Sequence, residues 1–309
     1  MVGHMLDLHR LAVFVSVVER KSVSQAAGDL YLSQPAVSKH IKALEKLYGV
    51  RLLERSRRPV TPTEAGRIFY RFAKSAMHSL EDLDNAMKEF NEGHAGALAI
   101  GASGTTGQYL LPPILARFKQ KHPGADLRVR VAAPEHIYRE VQNGELQLGV
   151  TSGTDVPRDL ASEGLGRDEL VLVAAPGHPL AGREGITAQE LAEEGFVHSP
   201  PGTPVYELMM EPLVRAGITP RMVMTTDQVE TAKRAVQEGL GVSFLFRIAV
   251  EREIQAGHLC ELRFHGLRFW GVHNLIYSPT RYQSALVRRF LSVLRKEAAA
   301  LLSPSEAPR

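Results

Sequence analysis

Residues 22–48 read SVSQAAGDLYLSQPAVSKHIKALEKLY and predict two short amphipathic helices with a tight polar break between them. The second helix begins after Ser33, whose hydroxyl can accept an unpaired backbone N–H at the helix start. Pro35 falls in the first turn, where its missing N–H costs nothing. The inward stripe of this helix consists of Val37, Ile41, Leu44 and Leu47. This layout is typical of a helix-turn-helix, whose second helix enters the major groove of DNA.

An earlier helix completes the predicted N-terminal bundle. Apolar residues recur there at helical spacing, at Leu11, Phe14, Val15 and Val18. The same spacing continues with Val23, Ala26, Ala27 and Leu30. Because two of these are small alanines, a neighbouring helix can approach closely, and we expect three packed helices.

The outer face of the last of these helices carries small polar and basic side chains. Gln34 can form paired hydrogen bonds to an adenine edge, and Ser38 can bond to almost any base. Lys39 and Lys42 suit phosphate groups or guanine. The alternative is an ordinary solvated helix face. Because the helix follows a capped turn and two packed helices, DNA contact is the favoured interpretation.

A short hairpin, or wing, is predicted after this helix. Val50–Glu54 and Val60–Thr61 are predicted strands, and Pro62 is expected to end the second one. The tip between them is basic and contains Arg55, Ser56, Arg57, Arg58 and Pro59. Residues 39–74 contain ten Lys or Arg and three Glu, whereas the whole chain has a formal net charge of only +3, so positive charge is concentrated in this region. Such a distribution favours contact with a phosphate backbone.

One long helix is predicted from Thr63 to about Asn91. Its apolar residues are spaced by threes and fours, at Ala65, Phe69, Phe72, Ala76, Leu80, Leu83, Met87 and Phe90. A seam of this kind needs a partner helix. Packing on the same chain is the alternative, and a dimerising linker helix is favoured because paired heads can address two half-sites.

The remaining sequence alternates strands with helices, which predicts parallel sheets joined by right-handed crossovers and an α/β class. Predicted strands lie near 97–101, 127–131, 146–151, 170–174, 222–225 and 242–246, and predicted helices near 109–121, 135–143, 206–216, 228–238 and 283–301. These residues suffice for two small α/β lobes. A ligand is then expected in the crevice at the carboxyl ends of the strands.

Hydroxyl-bearing residues follow several of these strands. Residues 101–107 read GASGTTG and precede a helix, which favours an anion site but equally fits a capped turn. Other candidates at equivalent turns are Thr151, Ser152, Ser199, Thr203, Thr226, Asp227 and Gln228. Each alone is more typical of a helix cap, and their recurrence at strand-to-helix turns favours a shared pocket.

Motifs for catalysis are lacking. The histidines show no metal-ligand spacing, and His178 and His198 are expected in loops as surface or packing residues. Cys260 is the only cysteine and is expected to be a buried structural thiol in an apolar strand. No enzyme activity, cofactor or metal is predicted.

The composition of the chain indicates its general class and its expected location. Its 309 residues, 44% hydrophobic and 23% charged, suit a globular protein of two or three domains. The single cysteine suits a reducing compartment. No apolar run is long enough for a membrane span, and no secretory leader is visible. We therefore expect a cytoplasmic protein.

The chain resembles the LysR-type transcriptional regulators along nearly its whole length. The N-terminal motifs that carry the resemblance are Ser22–Ala27, Leu32–Ser38, Gly49–Arg55 and Thr61–Gly66. Weaker motifs in the second half are Tyr109–Pro112, Gly177–Leu180 and Ala235–Val242. The second half is also similar to the subgroup that controls sulfur assimilation or carbon dioxide fixation.

The resemblance implies a winged helix-turn-helix, a dimerising linker helix and a two-lobed α/β effector domain like the periplasmic binding proteins. Gln34, Pro35, Ser38 and Lys39 match the family's recognition helix, and Arg55 and Arg58 match its wing. With the residue chemistry above, the predicted DNA-contacting set is Ser33, Gln34, Pro35, Ser38, Lys39, Lys42, Arg55 and Arg58. The predicted effector-contacting set is Ser103, Thr105, Thr106, Ser152, Thr203 and Gln228, of which Ser103, Thr105, Thr106 and Thr203 match pocket positions in relatives.

The expected function is sequence-specific binding of promoter DNA, modulated by a small, anionic metabolite in the inter-lobe cleft. The resemblance implies a homodimer through the linker helix, a homotetramer overall, and contact with RNA polymerase. The alternative is a small-molecule-binding protein whose helical head only oligomerises. The expected domains are 1–62 for DNA binding, 63–92 for the linker, and 93–309 for the effector, with lobes at about 93–167 with 270–303 and about 168–269.

Overall fold

The computed structural model describes residues 6–54, 59–92, 96–153, 155–264 and 268–302. The chain divides into two compact units. The first extends to residue 93 and includes the short segments 142–145 and 280–284, and the second comprises the rest of the chain.

The N-terminal unit is a helical bundle with a small hairpin. Its elements are α1 (Leu8–Arg20), α2 (Val23–Asp29), α3 (Gln34–Tyr48), β1 (Leu53–Glu54), β2 (Thr61–Pro62) and α4 (Glu64–Glu92). The helix starts follow the sequence chemistry, because the Ser22 hydroxyl accepts the N–H of Gln25 and the Ser33 hydroxyl accepts that of Ala36. The strands β1 and β2 pair antiparallel, and Pro62 lies opposite Leu53 instead of ending the strand before it.

Helix α1 packs on two sides, which the single stripe predicted from the sequence did not anticipate. Val13, Phe14 and Val17 join the inner faces of α2 and α3 in one core. Leu11 and Val15 pack on the other side, against Ala73 of α4. A helix that is covered on two sides needs a wider apolar face than one stripe.

The second unit is α/β. Its elements are β3 (Gly96–Ala102), a π-helical turn (Thr106–Leu110), α5 (Leu111–Lys121), β4 (Ala125–Val131), α6 (Pro134–Gln142), β5 (Leu148–Ser152), β6 (Ala161–Ala174), β7 (Glu184–Ile186), α7 (Ala188–Glu193), β8 (Gly195–His198), α8 (Pro204–Arg215), β9 (Arg221–Thr225), α9 (Val229–Gln237), β10 (Ser243–Phe246), α10 (Arg247–Gln255), β11 (Cys260–Glu261), β12 (Arg263–Phe264), β13 (Phe269–Tyr277) and α11 (Ala285–Leu301).

The main sheet is mixed, which corrects the expectation of parallel sheets. Its strands follow the order β10-β6-β13-β5-β3-β4, with β11 also paired to β6. β3 runs parallel to β4 and β5, as predicted, whereas β13 runs antiparallel to both β5 and β6. The chain between β6 and β13 carries four helices, α7 to α10, and is not the single crossover helix that makes neighbouring strands parallel.

Two principal hydrophobic cores give this unit its two lobes. The first packs β3 and β5 against α5 and α11, through buried residues such as Ile100, Phe118 and Phe290. The second contains Phe196, Met209 and Phe244. Each lobe therefore has its own interior. Among the described residues, no helix is long and apolar enough to cross a membrane.

Candidate functional site

Helix α3 presents a polar outer face opposite a buried apolar stripe. Val37, Ile41 and Leu44 are fully or almost fully buried. The side chains predicted to contact DNA lie on the other side, where Ser38 is half-buried and Ser33, Gln34, Pro35, Lys39 and Lys42 are exposed. Because the inner stripe fixes the rotation of the helix, this face is held open to solvent.

The connection between the hairpin and α4 depends on a very close backbone approach. A Cβ at Gly66 would lie 1.9 Å from the backbone oxygen of Leu52. The Thr63 hydroxyl donates to the oxygen of Arg51 at 2.7 Å and accepts the N–H of Gly66 at 3.0 Å. The base of the wing is thereby fixed to the start of α4. Arg55 and Arg58, predicted to contact DNA from the wing tip, lie outside the described residues.

Tyr31 is an exposed residue that the sequence interpretation did not single out. It lies in the turn before α3, is 97% exposed, and has a left-handed backbone with φ of 54°. Such a conformation is rare for a bulky residue. The sequence feature that could have drawn attention to Tyr31 is its position as a lone aromatic residue in the polar break between two helices.

The apolar seam predicted along α4 is divided in the structure. Ala65, Phe69 and Ala76 pack against the N-terminal core. Phe72, Leu80, Leu83 and Met87 remain exposed, at 73%, 37%, 52% and 48%. An exposed apolar row on a long helix is a surface suited to a partner helix.

Three of the predicted effector residues join two strand ends in the first lobe. The Ser103 hydroxyl accepts the N–H of Ser152 at 3.1 Å. The Thr106 hydroxyl lies 2.7 Å from the oxygen of Val150, and Thr106 is completely buried. Thr106 therefore ties β5 to the helix that follows β3, and its hydroxyl is already satisfied inside the protein.

The other predicted effector residues occupy different surroundings. The Thr203 hydroxyl caps α8, accepting the N–H of Tyr206 at 3.4 Å and donating to the oxygen of Pro200 at 2.9 Å. Thr105 and Gln228 line one small cavity, whereas Ser152 lines a larger one. The structure thus brings Thr105 together with Gln228, and Thr203 is not among the residues that line either cavity.

The small cavity, of about 30 Å³, is lined by residues of both lobes. Thr105 contributes from the first lobe, and His198, Gln228 and Ser243 from the second. His198 is the last residue of β8 and is buried, which corrects its predicted place in a loop. Its burial lowers the pKa of the imidazole to about 4, so His198 is neutral at pH 7.

The larger cavity, of about 390 Å³, is acidic. The charged residues lining it are Glu135, Asp155, Glu207 and Glu211. Its aromatic wall includes Tyr138, Phe246 and Trp270. The Arg167 guanidinium carbon lies 5.3 Å from the centroid of the Trp270 ring, a cation–π contact.

Tyr109 connects the two lobes and was not predicted to do so. It lies on the π-helical turn, and its hydroxyl donates to the Glu230 carboxylate on α9. The Lys233 ammonium lies 4.9 Å from the centroid of the Tyr109 ring. Burial, together with Glu230, raises the pKa of Tyr109. No sequence pattern indicates this contact, because Tyr109 and Glu230 are 121 residues apart in the chain.

The remaining candidate reactive groups have structural surroundings. Cys260 lies in β11 as predicted for a strand residue, but it is half-buried, and burial raises the pKa of its thiol. His178 lies in a turn, and its Nδ1 accepts the N–H of Leu180 at 3.2 Å. Within the described ranges, no cluster of three or more His, Cys, Asp or Glu residues could hold a metal ion.

Comparison with known proteins gives matches over almost the full chain. The family model "Bacterial regulatory helix-turn-helix protein, lysR family" matches residues 8–67, and "LysR substrate binding domain" matches residues 91–299. A "Probable RuBisCO transcriptional regulator" of Cyanophora paradoxa is 31% identical over 292 residues, covering 92% of this chain and 90% of its own length. The "HTH-type transcriptional regulator CysL" of Bacillus subtilis (strain 168) is 30% identical over 285 residues, covering 92% and 95% respectively.

A similar fold is found among solved structures. The crystal structure of full-length CbnR complexed with its target DNA has a TM-score of 0.70 and 20% sequence identity to this chain. The similarity covers 94% of this chain and 100% of that one.

Proposed function

The chain belongs to the LysR family of bacterial transcriptional regulators, and we propose that it binds promoter DNA sequence-specifically and responds to a small metabolite that carries an anionic group. The observation that carries the proposal is the exposed polar face of α3, with Gln34, Lys39 and Lys42 held outward by a buried apolar stripe. Gln34 and Ser38 read base edges, while the lysines contact phosphates. CbnR, which shares the fold, has been crystallised with its target DNA.

The proposed organisation assigns residues 1–62 to DNA binding, 63–92 to the linker and 93–309 to effector binding. The lobes are about 93–167 with 270–303, and about 168–269. The exposed row on α4, formed by Phe72, Leu80, Leu83 and Met87, supports a homodimer through this helix. A homotetramer, a cytoplasmic location and contact with RNA polymerase complete the proposal.

The proposed switch is a change in relative lobe orientation. A metabolite in the inter-lobe cleft favours one orientation by the difference in its affinity for the two states. The shift alters the spacing of the paired DNA heads. Thr105 and Gln228 support the assignment because both line the small cavity, whereas Ser152 lines the larger cavity, whose carboxylates would repel an anion.

A selection from random duplexes, followed by footprinting of the full-length protein, tests DNA recognition. We expect a protected site at physiological salt, and binding that ignores sequence would contradict the proposal. Footprints with and without candidate metabolites test the switch. Thr105→Val is expected to lose the ligand-dependent change, and a normal response would place the ligand elsewhere.

A further inference from the structure

The small cavity contains two buried polar groups that have no hydrogen-bond partner among the described residues. They are Nε2 of His198 and Oγ of Ser243. We propose that they bind the carboxylate end of a ligand, so that a carboxylate, and not a phosphate group, is the anchoring group at this site. The inference rests on the proposed function only in taking that ligand to be the effector.

The hydrogen-bonding role of His198 is fixed by its neighbour. Its Nδ1 lies 2.6 Å from the backbone nitrogen of Ser199 and accepts a hydrogen bond from that N–H. The neutral ring must then carry its proton on Nε2 and present it as a donor. His198 is 2% exposed, so water cannot easily replace the missing acceptor. His198 is one of the residues that line the cavity, so a ligand acceptor bound there would supply the partner that Nε2–H lacks.

Ser243 supplies a second group of the same kind. It lies at the start of β10, is completely buried, and lines the same cavity. A buried hydroxyl without a partner destabilises a folded protein. A ligand oxygen that accepts from both Ser243 and His198 satisfies the two groups together. Thr105 adds a third hydroxyl-bearing residue from the opposite lobe.

The start of α9 strengthens the preference for a negative group. Gln228 occupies the N-cap position and makes no side-chain capping bond, and both Gln228 and Val229 line the cavity. A helix start favours negative charge through its free N–H groups and its dipole. This agrees with the donors contributed by His198 and Ser243.

Size and charge select a carboxylate over a phosphate. The cavity of about 30 Å³ has room for an end group and not for a whole metabolite. Neither Lys nor Arg is among the residues that line it, although charged donors are what usually hold phosphate. Asp227 is the one charged residue that does, and its Oδ1 accepts from Gln228 Nε2 at 3.2 Å. A dianionic phosphate would be held poorly by these uncharged donors.

The test uses the full-length protein with three probes: acetate, acetamide and inorganic phosphate. Binding is followed by NMR of protein labelled with ¹⁵N-histidine, in which the Nε2–H signal of His198 is identified by its absence from His198→Gln. We expect acetate to shift this signal with saturation, acetamide to bind more weakly, and phosphate to leave it unchanged.

Two substitutions separate recognition from folding. Ser243→Ala should weaken acetate binding by about threefold to tenfold, the factor for one hydrogen bond, while raising the unfolding midpoint of the free protein. Ser292→Ala, at an exposed serine on α11, is the matched control and should change neither quantity. His198→Leu should abolish acetate binding, and His198→Gln should retain part of it because its amide donates near the same point. Should His198→Leu not fold, Ser243→Ala still decides the matter.

Three results would overturn the inference. They are phosphate binding as tightly as acetate, no acetate binding up to about 100 mM, and acetate binding that Ser243→Ala leaves unchanged. None of these measurements involves DNA. Failure of the unmodified protein to bind DNA would instead refute the proposed function and leave the result at the cavity standing.

Discussion

The replacement His198→Gln tests whether a buried, neutral imidazole makes the protein sensitive to acid. Burial lowers the pKa of His198 from 6.5 to about 4 in the folded protein. Between these two pH values, His198 is mostly protonated in the unfolded chain and mostly neutral in the folded protein. The stability contributed by His198 is therefore present above about pH 6.5 and decreases as the pH falls, until about pH 4.

The size of the effect follows from the two pKa values. Linkage gives a loss of about 2 kcal/mol in the free energy of unfolding between pH 7 and pH 4.5. Glutamine does not titrate, so His198→Gln should lack this part of the pH dependence. The difference between parent and variant isolates His198, because every other titrating group is common to both.

Urea unfolding followed by tryptophan fluorescence supplies the measurement. Trp270 is the only tryptophan of the chain and lies in β13, so its emission reports on the α/β unit. As the pH falls from 7 to 4.5, we expect the free energy of unfolding of the parent to fall by about 2 kcal/mol more than that of the variant. If the difference between the two free energies of unfolding instead stays constant within about 0.5 kcal/mol over this pH range, burial does not hold the imidazole neutral.

Three further predictions concern the N-terminal unit. Lys39→Ala should reduce the slope of log affinity for DNA against log salt concentration by about one unit. Lys296→Ala, at an exposed lysine of α11, is the control and should leave the slope unchanged. If Lys39→Ala has the same slope as the parent, Lys39 does not contact DNA. Gly66→Ala places a Cβ 1.9 Å from the Leu52 oxygen, so it should destabilise this unit by about 1–3 kcal/mol. The measurement is the thermal unfolding midpoint, which should be lower in the variant. An unchanged midpoint would show that the backbone moves aside at no cost in stability. Leu83→Asp introduces charge into the exposed row on α4 and should reduce the assembly size in sedimentation velocity; unaltered sedimentation would place the dimer contact elsewhere.

The helix-turn-helix could be predicted from the sequence because its determinants are local. Ser33 and Pro35 set the start of α3, and Gly49 ends it in a left-handed conformation with φ of 68°. The spacing of Val37, Ile41 and Leu44 fixed the buried side of the helix. Resemblance to the LysR family, carried mainly by this segment, was confirmed by the family models.

The long connecting strands were the largest omission. Only residues 170–174 of β6 were predicted, and β13 was not predicted at all, although β6 spans Ala161–Ala174. The first part of β6 contains three polar or charged residues and two glycines among 161–167, a composition that does not indicate a strand. It is a strand because it pairs with β13, more than a hundred residues later in the chain.

Only part of the candidate ligand site could be predicted from the sequence. Of the polar residues predicted after strand ends, Thr105 and Gln228 line the small cavity and Ser152 lines the larger one, and their contact with a ligand stays a prediction. The pattern could not distinguish them from Thr106, whose hydroxyl is used inside the fold. It also could not identify Ser243, because nothing in a run of strand residues reveals which hydroxyl lacks a partner.

The pairing of β6 with β13 limits how the two lobes can move. The two strands pair along the whole of β13, with β10 on the outer side of β6 and β5 on the outer side of β13, so a tilt of one lobe must bend or twist both strands together. Their register is regular except for one irregularity between His273 and Asn274. Since an extra residue in a ladder leaves the local pairing weaker and more twisted, deformation should concentrate there. Because His273 and Asn274 also pair with Ser152 and Thr151 of β5, we expect a change in lobe orientation to be felt directly at the end of β5, where Ser152 lines the larger cavity.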